Sequence, residues 1–254
     1  MTAPAPALPS RDARRAHPLV KVVRLHFVDT SRMFGVPLII FGGAIAVGVV
    51  IMLILRAFVP GTEEDLSEGF RHNQAALWCF AGYFVNLGVM AYARTMPYAI
   101  GMGSTRRHYW NGTAIALCAE ALFLALTMVV LLAVERATGH WFVGARTFDV
   151  YVVGDGDYGD LFLMGFGIAF ASLFVGAGFA SVYLRWNQKG VIAVFAGIVA
   201  ALLALLAAVL GFGLDVPGAL GPFAFWKVAA GLVGLGVLAA AGSWLVLRRA
   251  PIGR

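Results

Sequence analysis

Runs of about twenty apolar residues alternate along this chain with short segments that carry its charges and its Pro-Gly turn markers. A bilayer's hydrocarbon core of about 30 Å takes roughly 20 consecutive apolar residues in helical form. Six stretches reach that length, at about 36–55, 75–93, 112–134, 161–184, 191–213 and 226–247. Pro60-Gly61, Pro97, Gly139, Gly154-Asp155-Gly156, Gly190 and Pro217-Gly218 mark the turns between them. The pattern predicts an all-α, polytopic membrane protein. Its six transmembrane helices occupy residues 34–250, after a disordered basic N-terminus over 1–17 and an interfacial amphipathic helix over 18–33, and before a C-terminal tail over 251–254.

Lys and Arg concentrate on the cytoplasmic side of multi-pass proteins, so the short connections orient the helices. With the N-terminus inside, the cytoplasmic segments hold Arg11, Arg14, Arg15, Lys21, Arg24, Arg32, Arg94, Arg106, Arg107, Arg185, Lys189, Arg248, Arg249 and Arg254, which is 14 of the 19 basic residues. The acidic residues take the other side, among them Glu63, Glu64, Asp65, Glu68, Asp155, Asp157 and Asp215. Trp78, Trp110, Trp141, Trp186, Trp226 and Trp244 all fall near helix ends, where an amphipathic ring prefers the headgroup level. Both termini are therefore expected in the cytoplasm.

Composition narrows the function classes. The chain is 61% hydrophobic and 13% charged with mean hydropathy +0.85, against roughly 25% charged in soluble domains. Six spans leave little over for a separate soluble module, so any chemistry is expected in the helices or their connections. The net charge of +6 does not point to nucleic acid, because the basic residues flank apolar runs instead of forming a soluble basic face. Cys79 and Cys118 lie at different depths of neighbouring helices, roughly 10 Å or more apart, too far for a disulfide. The first apolar run is too long for a signal-peptide core and is read as a helix. The preponderance of Arg over Lys, with the Ala, Gly and Val skew, suggests a G+C-rich bacterium, hence a multi-pass protein of the plasma (inner) membrane.

Four features could carry function. The segment 18–32, PLVKVVRLHFVDTSR, is apolar at Val20, Val23 and Phe27 and basic at Lys21, Arg24 and Arg32. It reads either as a helix lying on anionic lipid headgroups or as an irregular basic leader. The connection 94–111, RTMPYAIGMGSTRRHYWN, is the longest predicted cytoplasmic one after the N-terminus. Pro97 favours a helix start, Gly101 and Gly103 allow a bend, and Ser104 can cap the next turn. Arg106, Arg107, His108, Tyr109 and Trp110 then offer either a basic-aromatic surface to a partner or simple interfacial anchoring. Glu120 is the acidic residue inside a predicted span. Intramembrane charges mark functional sites by default, so Glu120 and the neighbouring span's Asn86 are candidates for a substrate path. The alternatives are a protonated Glu bonded to Asn86 or to a backbone carbonyl, or one in a wet inner cavity. Lastly, small residues recur four apart at Ala193, Gly197 and Ala201, at Gly176 and Ala180, and at Gly236 and Ala240, a spacing that lets helices approach closely within one chain or between two copies.

Other chemistry is not expected. DGDYGD at 155–160 lacks the twelve-residue ligand spacing and terminal Glu of a calcium loop, so no metal site is assigned. Paired Asp residues or HExxH on converging helices do not occur, and no catalytic residue is assigned.

VVRLHFVD, then Pro37 and a Gly-rich first span, then MPYAIGMGSTRRHYWNGT ahead of the third span, together resemble the small six-helix permease subunits of bacterial ABC exporters of the type V class. Many members carry P-x-A-x-x-x-G-x-[ST]-R-R-x-[FY] at that place. The corresponding residues here are Pro97, Ala99, Gly103, Ser104, Arg106, Arg107 and Tyr109, with Thr105 between Ser104 and Arg106. The resemblance implies that Pro97, Gly101, Gly103, Ser104, Arg106, Arg107, Tyr109 and Trp110 form a coupling helix seated on an ABC ATPase subunit. It also implies two permease copies around a shared path, a homodimer or a pair with a paralogue. This chain contains no GxxxxGK[ST] loop, so ATP and Mg would belong to the partner ATPase and this chain holds no cofactor. The expected function is ATP-driven outward movement of an amphipathic compound or lipid. An ion-coupled secondary transporter using Glu120 and a non-transport scaffold or sensor are the alternatives.

Overall fold

A computed structural model of the chain describes residues 18–28, 30–212 and 223–249. The predicted tail 251–254, the N-terminus 1–17 and the turn at Pro217-Gly218 lie outside the described residues. Those residues are mostly helical, without a strand. Eight α-helices follow in order: α1 Pro18–Phe27, α2 Val36–Phe58, α3 Glu63–Phe70, α4 Ala75–Ala93, α5 Thr95–Gly101, α6 Arg106–Ala137, α7 Tyr158–Gly211 and α8 Phe225–Leu247. Five helical stretches are long and apolar enough to cross a membrane, which is compatible with a multi-pass membrane protein.

The 54 residues of α7 do not form one rod, because Asn187 leaves helical geometry at φ 55° and ψ −156°. The break divides α7 into 158–186 and 188–211. The sequence reading placed a six-residue connection at 185–190, whereas the chain turns on a single residue. A side chain in that region of φ/ψ costs on the order of 1–3 kcal/mol and persists only where surrounding structure imposes it. Gly190 serves packing instead: a Cβ there would overlap Trp186.

The core lies where α4, α6, α7 and α8 meet. Without water to drive apolar surfaces together, helices in lipid associate through close backbone approach. Two glycines provide that contact here. A Cβ on Gly88 of α4 would overlap the Leu173 carbonyl of α7, and one on Gly176 of α7 would overlap the Val85 carbonyl of α4. Gly236 of α8 receives the Phe170 ring. The stripes at Gly176 and Gly236 thus serve packing within the chain. The stripe at Ala193, Gly197 and Ala201 differs: nothing approaches Gly197, and residues 195–207 are exposed.

The N-terminal segment docks on α6 by a different face from the predicted one. Val22 is 2% exposed and occupies the notch made by Gly112, where a Cβ would come within 2.7 Å of Val22 Cγ1. His26 reaches Thr113 Oγ1 at 3.0 Å. Val20 points outward, as do Lys21 and Arg24. The α-helix ends at Phe27, earlier than the predicted boundary at 33. A π-helical turn over Ser31–Gly35 then leads into α2.

Candidate functional site

The residues between α4 and α6 separate into two groups. The predicted connection 94–111 is shorter than the sequence suggested, because α6 already starts at Arg106. Thr105 caps it, accepting the His108 N–H at 3.2 Å, so the capping role expected of Ser104 falls to its neighbour. Gly103, at φ 81°, makes the bend between α5 and α6.

Three residues expected on a partner-facing surface are used inside the molecule. Tyr109 is fully buried, donating its hydroxyl to the Ala91 carbonyl at 2.8 Å and lying 2.9 Å from Thr95 Oγ1. Trp110 donates its indole N–H to Ser243 Oγ at 3.0 Å and packs on Trp244. Arg106 donates to the Arg248 carbonyl at 3.1 Å, satisfying the end of α8. These contacts tie α4, α5, α6 and α8 together at one end of the bundle. The side chains left facing out are Pro97, Tyr98 (69% exposed), Met102 (65% exposed) and Arg107, beside the exposed Gly101 and Gly103.

Directly beside this segment is a cavity of about 550 Å³. Its polar residues are His26, Tyr83, Asn86, Arg94, Thr95, Tyr98 and Glu120, set among apolar groups that include Leu25, Met33, Leu87, Met90 and Leu173. The sequence candidates Asn86 and Glu120 therefore share one space. Glu120 is 1% exposed, and neither carboxylate oxygen has a hydrogen-bond partner among the described residues. The bond to Asn86 or to a backbone carbonyl considered from the sequence is not made. Asn86, Met90, Tyr98 and Val28 are exposed, so the cavity opens sideways between α1 and α4. His26 closes one wall; burial lowers its imidazole pKa to about 4, so it is neutral at ordinary pH.

At the opposite end of α6 a second acid is buried. Glu135 is 0% exposed, and its carboxylate accepts the backbone N–H groups of Thr147, Phe148 and Asp149 at 2.8–3.3 Å. Asp149 in turn pairs with Arg146 at 2.7 Å and with His140 at 2.9 Å. Two acids of DGDYGD are similarly occupied: Asp155 pairs with Arg71, while Asp157 caps α7 by accepting the Asp160 N–H. Among the described residues no group of three or more His, Cys, Asp or Glu could hold a metal ion.

Comparison of the chain with protein-family models, with curated proteins and with solved structures finds no match.

Proposed function

We propose that the chain is the membrane-spanning subunit of an ATP-driven ABC exporter of the bacterial plasma membrane. It spans the bilayer six times with both termini in the cytoplasm, α7 contributing two spans on either side of Asn187. It works paired with a second permease copy, and ATP with Mg is held by a separate ATPase subunit. The observation that carries this reading is the double position of Tyr98. The side chain is 69% exposed at the end of the bundle where an ATPase would dock, and the same residue lines the cavity that holds Glu120. Helix α5 is tied to α6 through Thr95 and Tyr109. A push on α5 would reach the cavity wall and the base of α6 together, which a coupling helix requires.

The partner surface in this reading is Pro97, Tyr98, Met102 and Arg107. Arg106, Tyr109 and Trp110 transmit force instead of touching the ATPase. The test is affinity purification of the tagged chain from its native membrane, comparing wild type with a Tyr98→Glu, Met102→Glu double variant. An ATP-hydrolysing subunit should co-purify with wild type and be lost from the variant, while the variant elutes as the same folded species. Absence of any ATPase from gently solubilised, cross-linked wild-type membranes would overturn the reading.

The unpartnered carboxylate of Glu120 also favours a second reading, an ion-coupled transporter. That mechanism predicts transport by the purified chain alone, driven by an ion gradient and abolished by Glu120→Gln.

A further inference from the structure

Three facts about the Glu120 cavity bear on what it accepts. Its acid lies at the closed end, buried, with both oxygens free of protein donors among the described residues. A buried carboxyl without a partner is either uncharged or costly, so its ionised form calls for a counter-charge from elsewhere. No ion pair joins Glu120 to Arg94 or His26, the basic residues on the same walls; His26 is committed to Thr113. The volume of about 550 Å³ falls in the range of small-molecule sites, well beyond what one ion fills. A hard metal ion would also need several converging oxygen ligands. Finally, the opening faces sideways between Met90 and Val28, where an apolar tail could lie along the surface of α4.

We infer that this cavity binds a cationic amphiphile, its charged head against Glu120 and Asn86 and its apolar tail along Leu87, Met90 and Val28. Asn86 offers the head its side-chain carbonyl, and Tyr83 its ring face or hydroxyl. Entry is lateral, from the membrane leaflet, and not from the aqueous end. This substrate class rests on the transport reading, but binding belongs to this chain alone and is measured without the ATPase.

The probe is radiolabelled dodecyltrimethylammonium, a permanent cation, titrated onto the full-length chain in phosphatidylcholine nanodiscs, with empty nanodiscs subtracted. Wild type should bind it saturably, displaced poorly by dodecanol and not by dodecyl sulfate. Glu120→Gln should weaken binding about tenfold or more, as expected for loss of a charge-assisted contact, while Glu120→Asp keeps most of it. Met90→Trp, which narrows the mouth and leaves the carboxylate intact, should also weaken it, and tests the site even if Glu120→Gln does not fold. Equal binding by wild type and a folded Glu120→Gln, or equal displacement by dodecanol and the cation, would overturn the inference. Loss of Glu120-dependent binding with the ATPase still co-purifying removes this substrate class and leaves the exporter. Retained binding with no ATPase partner does the reverse.

Discussion

Helix α6 carries two buried glutamates, and they are opposites. Glu135 and Glu120 are 0% and 1% exposed, on one helix about 22 Å apart along its axis. Glu135 accepts three backbone N–H groups from 147–149, so its charge is used up in holding a turn against the helix end. Glu120 accepts no hydrogen bond among the described residues and faces a cavity. Burial of an acid is therefore not itself a sign of function. The informative quantity is whether the protein supplies the partners, since an unfilled buried acceptor is a standing penalty unless something else fills it.

The contrast can be broken most forcefully by stability measurements on the two acids. Glu135→Ala strands three buried N–H donors, and thermal unfolding in detergent should show a loss on the order of 3 kcal/mol or more. Glu120→Gln should unfold at the wild-type temperature or above it, because no protein contact is removed. If both changes destabilise equally, the distinction fails.

A smaller effect is expected at the α5 end. Trp110→Phe removes one partly buried hydrogen bond to Ser243 and should cost about 1 kcal/mol in the same melts. Tyr98→Glu with Met102→Glu should stay within about 0.5 kcal/mol of wild type, as for exposed positions generally, while removing the ATPase binding proposed above. Reversal of that pattern would mean that the partner surface and the internal ties have been exchanged.

The smallest effect concerns His26. Its folded pKa of about 4 lies below the unfolded value of 6.5, so its contribution to docking α1 is present above pH 6.5 and lost as pH falls toward 4. Between pH 7 and pH 6 the change is less than about 1 kcal/mol. The protection factors of the α1 amides, which remove the pH dependence of intrinsic exchange, should fall over that interval in wild type and not in His26→Asn. Unchanged protection would show that α1 docks independently of the His26–Thr113 bond.

Sequence alone reveals the long apolar helices of this fold, because lipid imposes length and hydropathy directly on the residues. It does not reveal which apolar stripe meets protein and which meets lipid, since both are apolar. That is why α1 packs through Val22 and His26, although the Val20, Val23 and Phe27 stripe looks equally suitable. The same limit hid the internal contacts of Tyr109 and Trp110, whose partners Ala91 and Ser243 are 18 and 133 residues away in the chain. Glu120 and Asn86 were legible as candidates because a polar group in an apolar run stands out. Glu135 was not, because its donors come from a turn whose approach depends on tertiary structure.

The measurement that bears most directly on the account is ATP-dependent uptake of dodecyltrimethylammonium by inside-out vesicles of the native membrane. The account predicts uptake with ATP in wild type, abolished by Glu120→Gln and, separately, by Tyr98→Glu with Met102→Glu. Uptake that proceeds without ATP, or that survives both changes, would contradict it.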